Sequence, residues 1–279
     1  MTEVILIAAA FFSSIVSGMI GMAGGMLLLV IMSTFFTPAT LIPLHGAVQL
    51  ASNGSRSFYL RQHLNWSIIG IFAIGTFLGA AAGSQMIVDI PEPQYRMALG
   101  VFILLLTWMP KFNVEKKIKG KFFWLGSATG FISLFAGATG PFLAPFFLRE
   151  NLNKEQLVGT KAACQILTHT AKMIVFAAIG FSFGPYWQLL LGMIIAVFAG
   201  NYIGKMLLGK LKQDQFVWIF KFVISALAIR LLWLGVSAVA APDYTSVQPH
   251  KNSVQHSKPI NVIDKLPDDS GKHKTPYSK

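Results

Sequence analysis

The sequence predicts an all-α polytopic membrane protein made of two inverted repeats, each a broken-helix hairpin plus three transmembrane helices. Three observations lead there. Of the 279 residues only 12% are charged and 54% are hydrophobic, whereas a soluble domain carries about 25% charged residues. The charges also cluster, leaving several windows of about twenty residues nearly free of them, enough to cross a hydrocarbon core about 30 Å thick. Finally, one kind of interruption appears twice inside long apolar stretches, as GMIGMAGGM at 18–26 and SLFAGATGP at 133–141.

In chain order the apolar segments are 4–36, 41–60, 66–88, 94–110, 121–148, 157–180, 186–209 and 215–239. The first is too long for one span of about twenty residues, and GMAGG sits in its middle. The fifth is interrupted by FAGATGP. Glycine costs a helix about 1 kcal/mol relative to alanine, and proline about 3, so each of these segments reads as two half-helices meeting at a break. The N-terminus MTEVILIAAAFF carries an acid and no base before its apolar run, unlike a signal peptide, and is expected in the mature chain. The domain reading is a first membrane repeat over 1–110, a basic cytoplasmic linker over 111–120, a second membrane repeat over 121–240, and a tail over 241–279. That tail is rich in Pro, Ser, Lys and Asp, cannot bury apolar surface, and is expected to be disordered.

The two halves match. Met22–Met26 aligns with Gly137–Pro141 at an offset of 115. At an offset of 116, His45, Gln49, Asn53 and Arg56 align with Lys161, Gln165, His169 and Lys172. Further on, FLGAAAG at 77–83 aligns with FAGNYIG at 198–204, both carrying a GxxxG. Loop insertions produce such drifting offsets, so the chain reads as an internal duplication. Loop charge then chooses the topology. If each broken segment is a hairpin returning to its own side, Arg61, Lys111 to Lys121, Arg149 with Lys154, and Lys205 to Lys212 all become cytoplasmic. The opposite loops keep only Asp89, Glu92 and Arg96, and then the uncharged GFSFGPYW. Positive-inside counting favours this arrangement, which inverts the repeats and places both termini outside a multi-pass protein of the cell (inner or plasma) membrane.

A break in a membrane helix exposes backbone N–H groups and a positive dipole end, and irregular backbone at that depth must be buried in protein or line an aqueous cavity. Two facing breaks, around Gly24 and Gly25 and around Thr139 and Gly140, would form an anion site from main-chain donors. The neighbouring segments supply side chains. His45, Gln49, Asn53 and Arg56 follow at i, i+4, i+8 and i+11, a spacing that holds one helical face. Lys161, Gln165, His169 and Lys172 repeat it. Neither segment holds an Asp or Glu to pair with these cations, and ionisable groups at this depth face a cavity or a partner. A bound anion is the economical counter-charge. Two plainer readings compete: small residues serving only tight helix packing, and Arg56 and Lys161 snorkelling from segment ends.

The composition excludes other classes. A net charge of +12 can signal nucleic acid, but here the bases sit in short loops and the tail, as orientation in a membrane requires. Cys164 is the lone cysteine and permits no internal disulfide. There is no HExxH, paired carboxylate or Cys/His cluster, so neither an enzyme nor a metal or other cofactor is expected. Acids are missing from the segments, and His45 and His169 are the only mid-membrane groups placed to titrate. Export could therefore run on the membrane potential, which favours exit of each negative charge by about 2.3 kcal/mol per 100 mV.

The stretch SGMIGMAGGMLLLVIM at 17–32, its echo GFISLFAGATGPFLAPFFL at 130–148 and the two-repeat layout together resemble the TauE/SafE sulfite exporter family over about residues 1–240. The resemblance implies a membrane transporter that exports a small sulfur-containing anion: sulfite, thiosulfate or an organosulfonate. The anion and the lipid bilayer are then the expected partners. A channel or importer for another small anion, or a non-transporting membrane scaffold, stands as the alternative.

Overall fold

The structure, a computed structural model, describes residues 1–20, 24–87, 91–108, 119–148, 150–207 and 213–240, all within the compact unit Met1–Ala241. Among the described residues there are ten α-helices and no strands: α1 (Thr2–Ile20), α2 (Gly24–Met32), α3 (Pro38–Tyr59), α4 (Trp66–Ser84), α5 (Glu92–Trp108), α6 (Lys121–Ala136), α7 (Gly140–Phe147), α8 (Lys154–Ala178), α9 (Trp187–Leu207) and α10 (Gln213–Ala240). Both long interrupted segments are divided where the small residues fall. The expected tail, most of the basic linker, and Asp89, Arg149, Lys210 and Lys212 lie outside the described residues.

Local chemistry sets the ends. Pro38 opens α3, where its missing N–H costs nothing. The Asn65 side chain accepts from the Ile68 N–H at the start of α4. Asn153 and Gln156 form a capping box that starts α8 a turn earlier than its apolar run. Gly137 closes α6 at φ 73°, a backbone conformation that strongly favours glycine. Within the described residues α1, α4, α9 (with its preceding 3-10 turn) and α10 contain stretches long and apolar enough to cross a membrane. Helices α3 and α8 are as long, but their polar faces are turned inward. His45, Gln49, Asn53, Arg56, Lys161, Gln165, His169 and Lys172 are all buried.

Helices pack across the halves by close backbone approach. In α4, Gly75, Gly79 and Gly83 lie against Phe123, Ser127 and Phe131 of α6 in increasing order, so the two helices run parallel. In α9, Gly192, Gly200 and Gly204 lie against Ile7, Phe11 and Ile15 of α1, again parallel. A Cβ at Gly79 would stand 1.9 Å from the Ser127 carbonyl oxygen, and one at Gly200 would stand 2.4 Å from that of Phe11. The two GxxxG motifs thus serve packing within the chain. Helices α3 and α8 run antiparallel: Gly46 meets Met173 near one end, and Gly159 meets Leu60 near the other. Helices α5 and α10 are also antiparallel, with Gly235 beside Pro93 and Met97, and Trp108 bonded to Ser225. Exchanging α1–α5 for α6–α10 leaves this pattern of partners unchanged.

Polar loop residues gather where α3 ends. Asn65 donates its N–H to Thr160, the Lys205 ammonium bonds the Tyr59 carbonyl, and Lys121 pairs with Glu150. At the opposite end a cavity of about 750 Å³ opens among Thr37, Glu92, Tyr95, Phe135, Phe176 and Phe181.

Candidate functional site

The two breaks and the polar faces of α3 and α8 converge on one cleft. Its walls are Ser17, Gly25, Met26, His45, Gln49 and Arg56 from the first half, and Ala138, Gly140, Pro141, Gln165 and His169 from the second. It is contracted, with about 10 Å³ of free space, room for about one water molecule.

The two halves build their walls alike. A Cβ on Gly25 would sit 3.0 Å from the Gln49 amide, and one on Gly140 would sit 3.2 Å from that of Gln165. Each broken helix thus brings a glycine backbone onto the glutamine that the alignment pairs across the repeats. Gly24 packs on α1 itself, where a Cβ would fall 2.0 Å from the Ser13 carbonyl oxygen and 2.2 Å from the Ser17 hydroxyl. The chain therefore doubles back after α1, and only a residue without a side chain fits there.

The cations Arg56 and Lys172, aligned across the repeats, bind comparable carbonyls. Arg56 Nη1 donates to the Ser17 carbonyl at 3.4 Å, in the last turn of α1, and Lys172 Nζ donates to the Gly137 carbonyl at 2.7 Å, just past α6. Both therefore satisfy orphan acceptors at the negative dipole end of an incoming half-helix. Arg56 also donates to the Ser52 carbonyl and to Asn53 Oδ1, and the Asn53 amide donates to the Gln49 carbonyl. Asn201 on α9 binds the same corner, donating to the Ser52 carbonyl and to the hydroxyls of Ser52 and Ser55.

His45 and His169 meet edge to face across the halves, ring centroids 6.2 Å apart. His45 Nε2 is 2.8 Å from the Gly25 carbonyl oxygen. The Nδ1 atoms of both rings and the Thr139 hydroxyl are buried without a hydrogen-bond partner. Thr139 precedes α7 without capping it, and Pro141 has no N–H. The first turn of α7 thus keeps few donors, and these are uncapped.

Of the residues expected from sequence, Gly25, His45, Gln49, Arg56, Gly140, Gln165 and His169 line the cleft. Gly24, Asn53, Thr139, Lys161 and Lys172 are buried behind it. The sequence reading missed Ser17, Met26, Ala138 and Pro141. All four flank the two breaks, so proximity to an interruption was the signal that could have found them. Glu3, Glu92, Glu150 and Glu155 all lie at helix ends or in loops, Asp214 falls in the first turn of α10, and none is among the residues lining the cleft. Among the described residues no His, Cys, Asp and Glu gather as a metal-binding group.

A helical membrane protein with a buried, cation-rich cleft between two broken helices has the layout of a membrane transporter. The family model described as Sulfite exporter TauE/SafE matches residues 6–231, and the chain belongs to that family of membrane anion exporters. Comparison with curated proteins and with solved structures returned no match.

Proposed function

We propose that this protein exports a small sulfur-containing anion (sulfite, thiosulfate or an organosulfonate) across the cell membrane. The anion is held between the N-termini of α2 and α7 and the side chains of α3 and α8. One observation carries the proposal: the cleft draws Gly25, His45, Gln49 and Arg56 from one half and Gly140, Gln165 and His169 from the other, with Lys161 and Lys172 buried close behind and no carboxylate in its walls. Positive charge at that depth calls for a counter-charge. The N–H donors of two helix starts suit an oxyanion.

In this reading the halves are inverted repeats, a plan that recurs among secondary transporters. The antiparallel course of α3 against α8 and of α5 against α10 supports it. The basic loop residues gathered at the α3 end favour a cytoplasmic position for that end. The start of α1, the end of α10 and the 750 Å³ cavity then face outside. With the interior negative, an exported dianion is driven outward by the potential.

The test is flux of sulfite and of thiosulfate in proteoliposomes, with and without an imposed potential, comparing the wild type with Lys172→Ala. Potential-driven flux that falls tenfold or more in the variant supports the proposal. A wild type that moves neither anion faster than protein-free liposomes overturns it.

A further inference from the structure

The imidazole of His45 makes one hydrogen bond, through Nε2, and that bond fixes where its proton lies. A carbonyl oxygen only accepts, so at 2.8 Å from the Gly25 oxygen Nε2 must carry the hydrogen. In the neutral ring Nδ1 is then a bare lone pair. That atom is buried and has no partner, in a ring that lines the contracted cleft. A lone pair repels an anion, whereas Arg56 and the amide groups of Gln49 and Gln165 in the same cleft can donate to one.

We propose that His45 takes up a proton at Nδ1 together with the anion, so that one proton crosses with each anion transported. This deepens the proposed function and rests on the cleft being the anion site. The proton comes from water and no other bond changes: Nδ1–H forms, donates to the anion oxygen, and is released with the anion on the far side. The groups facing the ring are consistent with this division of labour. From α8 they are the His169 ring and the Lys172 ammonium; Arg56 of α3 lines the same cleft, and Lys161 lies further along α8. Among the described residues, the α2 and α6 ends of the breaks present the Gly25 and Gly137 carbonyls to it, the second already bound by Lys172. Among the described residues no carboxylate lines the cleft to hold the proton when the site is empty. A bound anion favours the charged form of a neighbouring imidazole. Binding and protonation therefore promote one another. A dianion leaves with a net charge of one rather than two, and its affinity rises up to tenfold for each pH unit of acidification while His45 is unprotonated in the empty protein.

The experiment is calorimetric titration of the purified full-length protein with thiosulfate at pH 7, in buffers of different ionisation enthalpy. Thiosulfate stays a dianion near neutrality, so any proton taken up belongs to the protein. Wild type should take up close to one proton per anion. His45→Gln keeps an amide donor for Gly25 and should bind more weakly, with uptake near zero, while His169→Gln should retain the uptake. Thiosulfate binding without proton uptake in the wild type overturns this inference and leaves the anion site standing. So does uptake that persists in His45→Gln. If wild type binds neither thiosulfate nor sulfite, the anion site fails and the inference fails with it. The wild-type proton count decides the matter even if a variant does not fold.

Discussion

Replacing Gly24 with alanine probes the chain reversal that brings the first break to the cleft. The new methyl group would lie 2.0 Å from the Ser13 carbonyl oxygen and 2.2 Å from the Ser17 hydroxyl. The Ser17 side chain can rotate, but the Ser13 carbonyl is helix backbone. Relief requires α2 to move away from α1 by about 1 Å, an overpacking strain costing about 1–3 kcal/mol. The same movement stretches the 2.8 Å contact from His45 to Gly25 past hydrogen-bonding range. Cys164 supplies the assay: it is the chain's one cysteine and is fully buried, so a thiol-reactive dye reports its exposure on heating. At about 2–4 °C per kcal/mol, Gly24→Ala should lower the midpoint by about 2–12 °C, with anion flux reduced in the same preparation. Gly54 is the control. It lies within α3, and a Cβ added there would meet nothing within 4 Å, so alanine should be neutral or stabilise by up to about 1 kcal/mol. Equal midpoints for the two variants would refute the packing argument.

Three more outcomes follow from the same contacts. Lys172→Met should expose the Gly137 carbonyl as an unsatisfied buried acceptor and cost about 1–3 kcal/mol, read as a lower dye-labelling midpoint. Asn201→Leu removes donors to Ser52 and Ser55 and should destabilise by a similar amount, loosening α9 from α3; enhanced hydrogen exchange along α9 would register it. Gly79→Ala drives a methyl into the Ser127 backbone and should part α4 from α6, lowering the midpoint by at least as much as Gly24→Ala. Alanine at Gly70, which has nothing within 4 Å, should not.

Much of this site could be read from residue spacing because membrane helices have few options. A polar face at i, i+4, i+8 and i+11 must turn inward, and small residues in an apolar run must either break a helix or admit a neighbour. Those two constraints locate Gly25, Gln49, Gly140 and Gln165. What stayed hidden depends on tertiary contact. The GxxxG spacing says that a helix will approach closely but not that α1 would be met by α9 and α6 by α4. Arg56 and Lys172 read as charges awaiting a partner. In the structure each is held by the carbonyl end of a half-helix, a demand that appears only once the break has formed. His45 and His169 read alike as mid-membrane groups placed to titrate; the contact with Gly25 that fixes the His45 proton requires the backbone of another helix. Pro141 removes an N–H from the helix start expected to supply donors.

The central claim is that one anion is gripped by both halves, and the paired glutamines test it most directly. Gln49→Leu and Gln165→Leu each remove one amide from opposite walls of the cleft while leaving the cations in place. Thiosulfate flux into proteoliposomes should fall about tenfold in each, equivalent to about 1.4 kcal/mol, with dye-labelling midpoints close to wild type. If either variant transports like wild type, the anion is not held between the two halves and the account is contradicted.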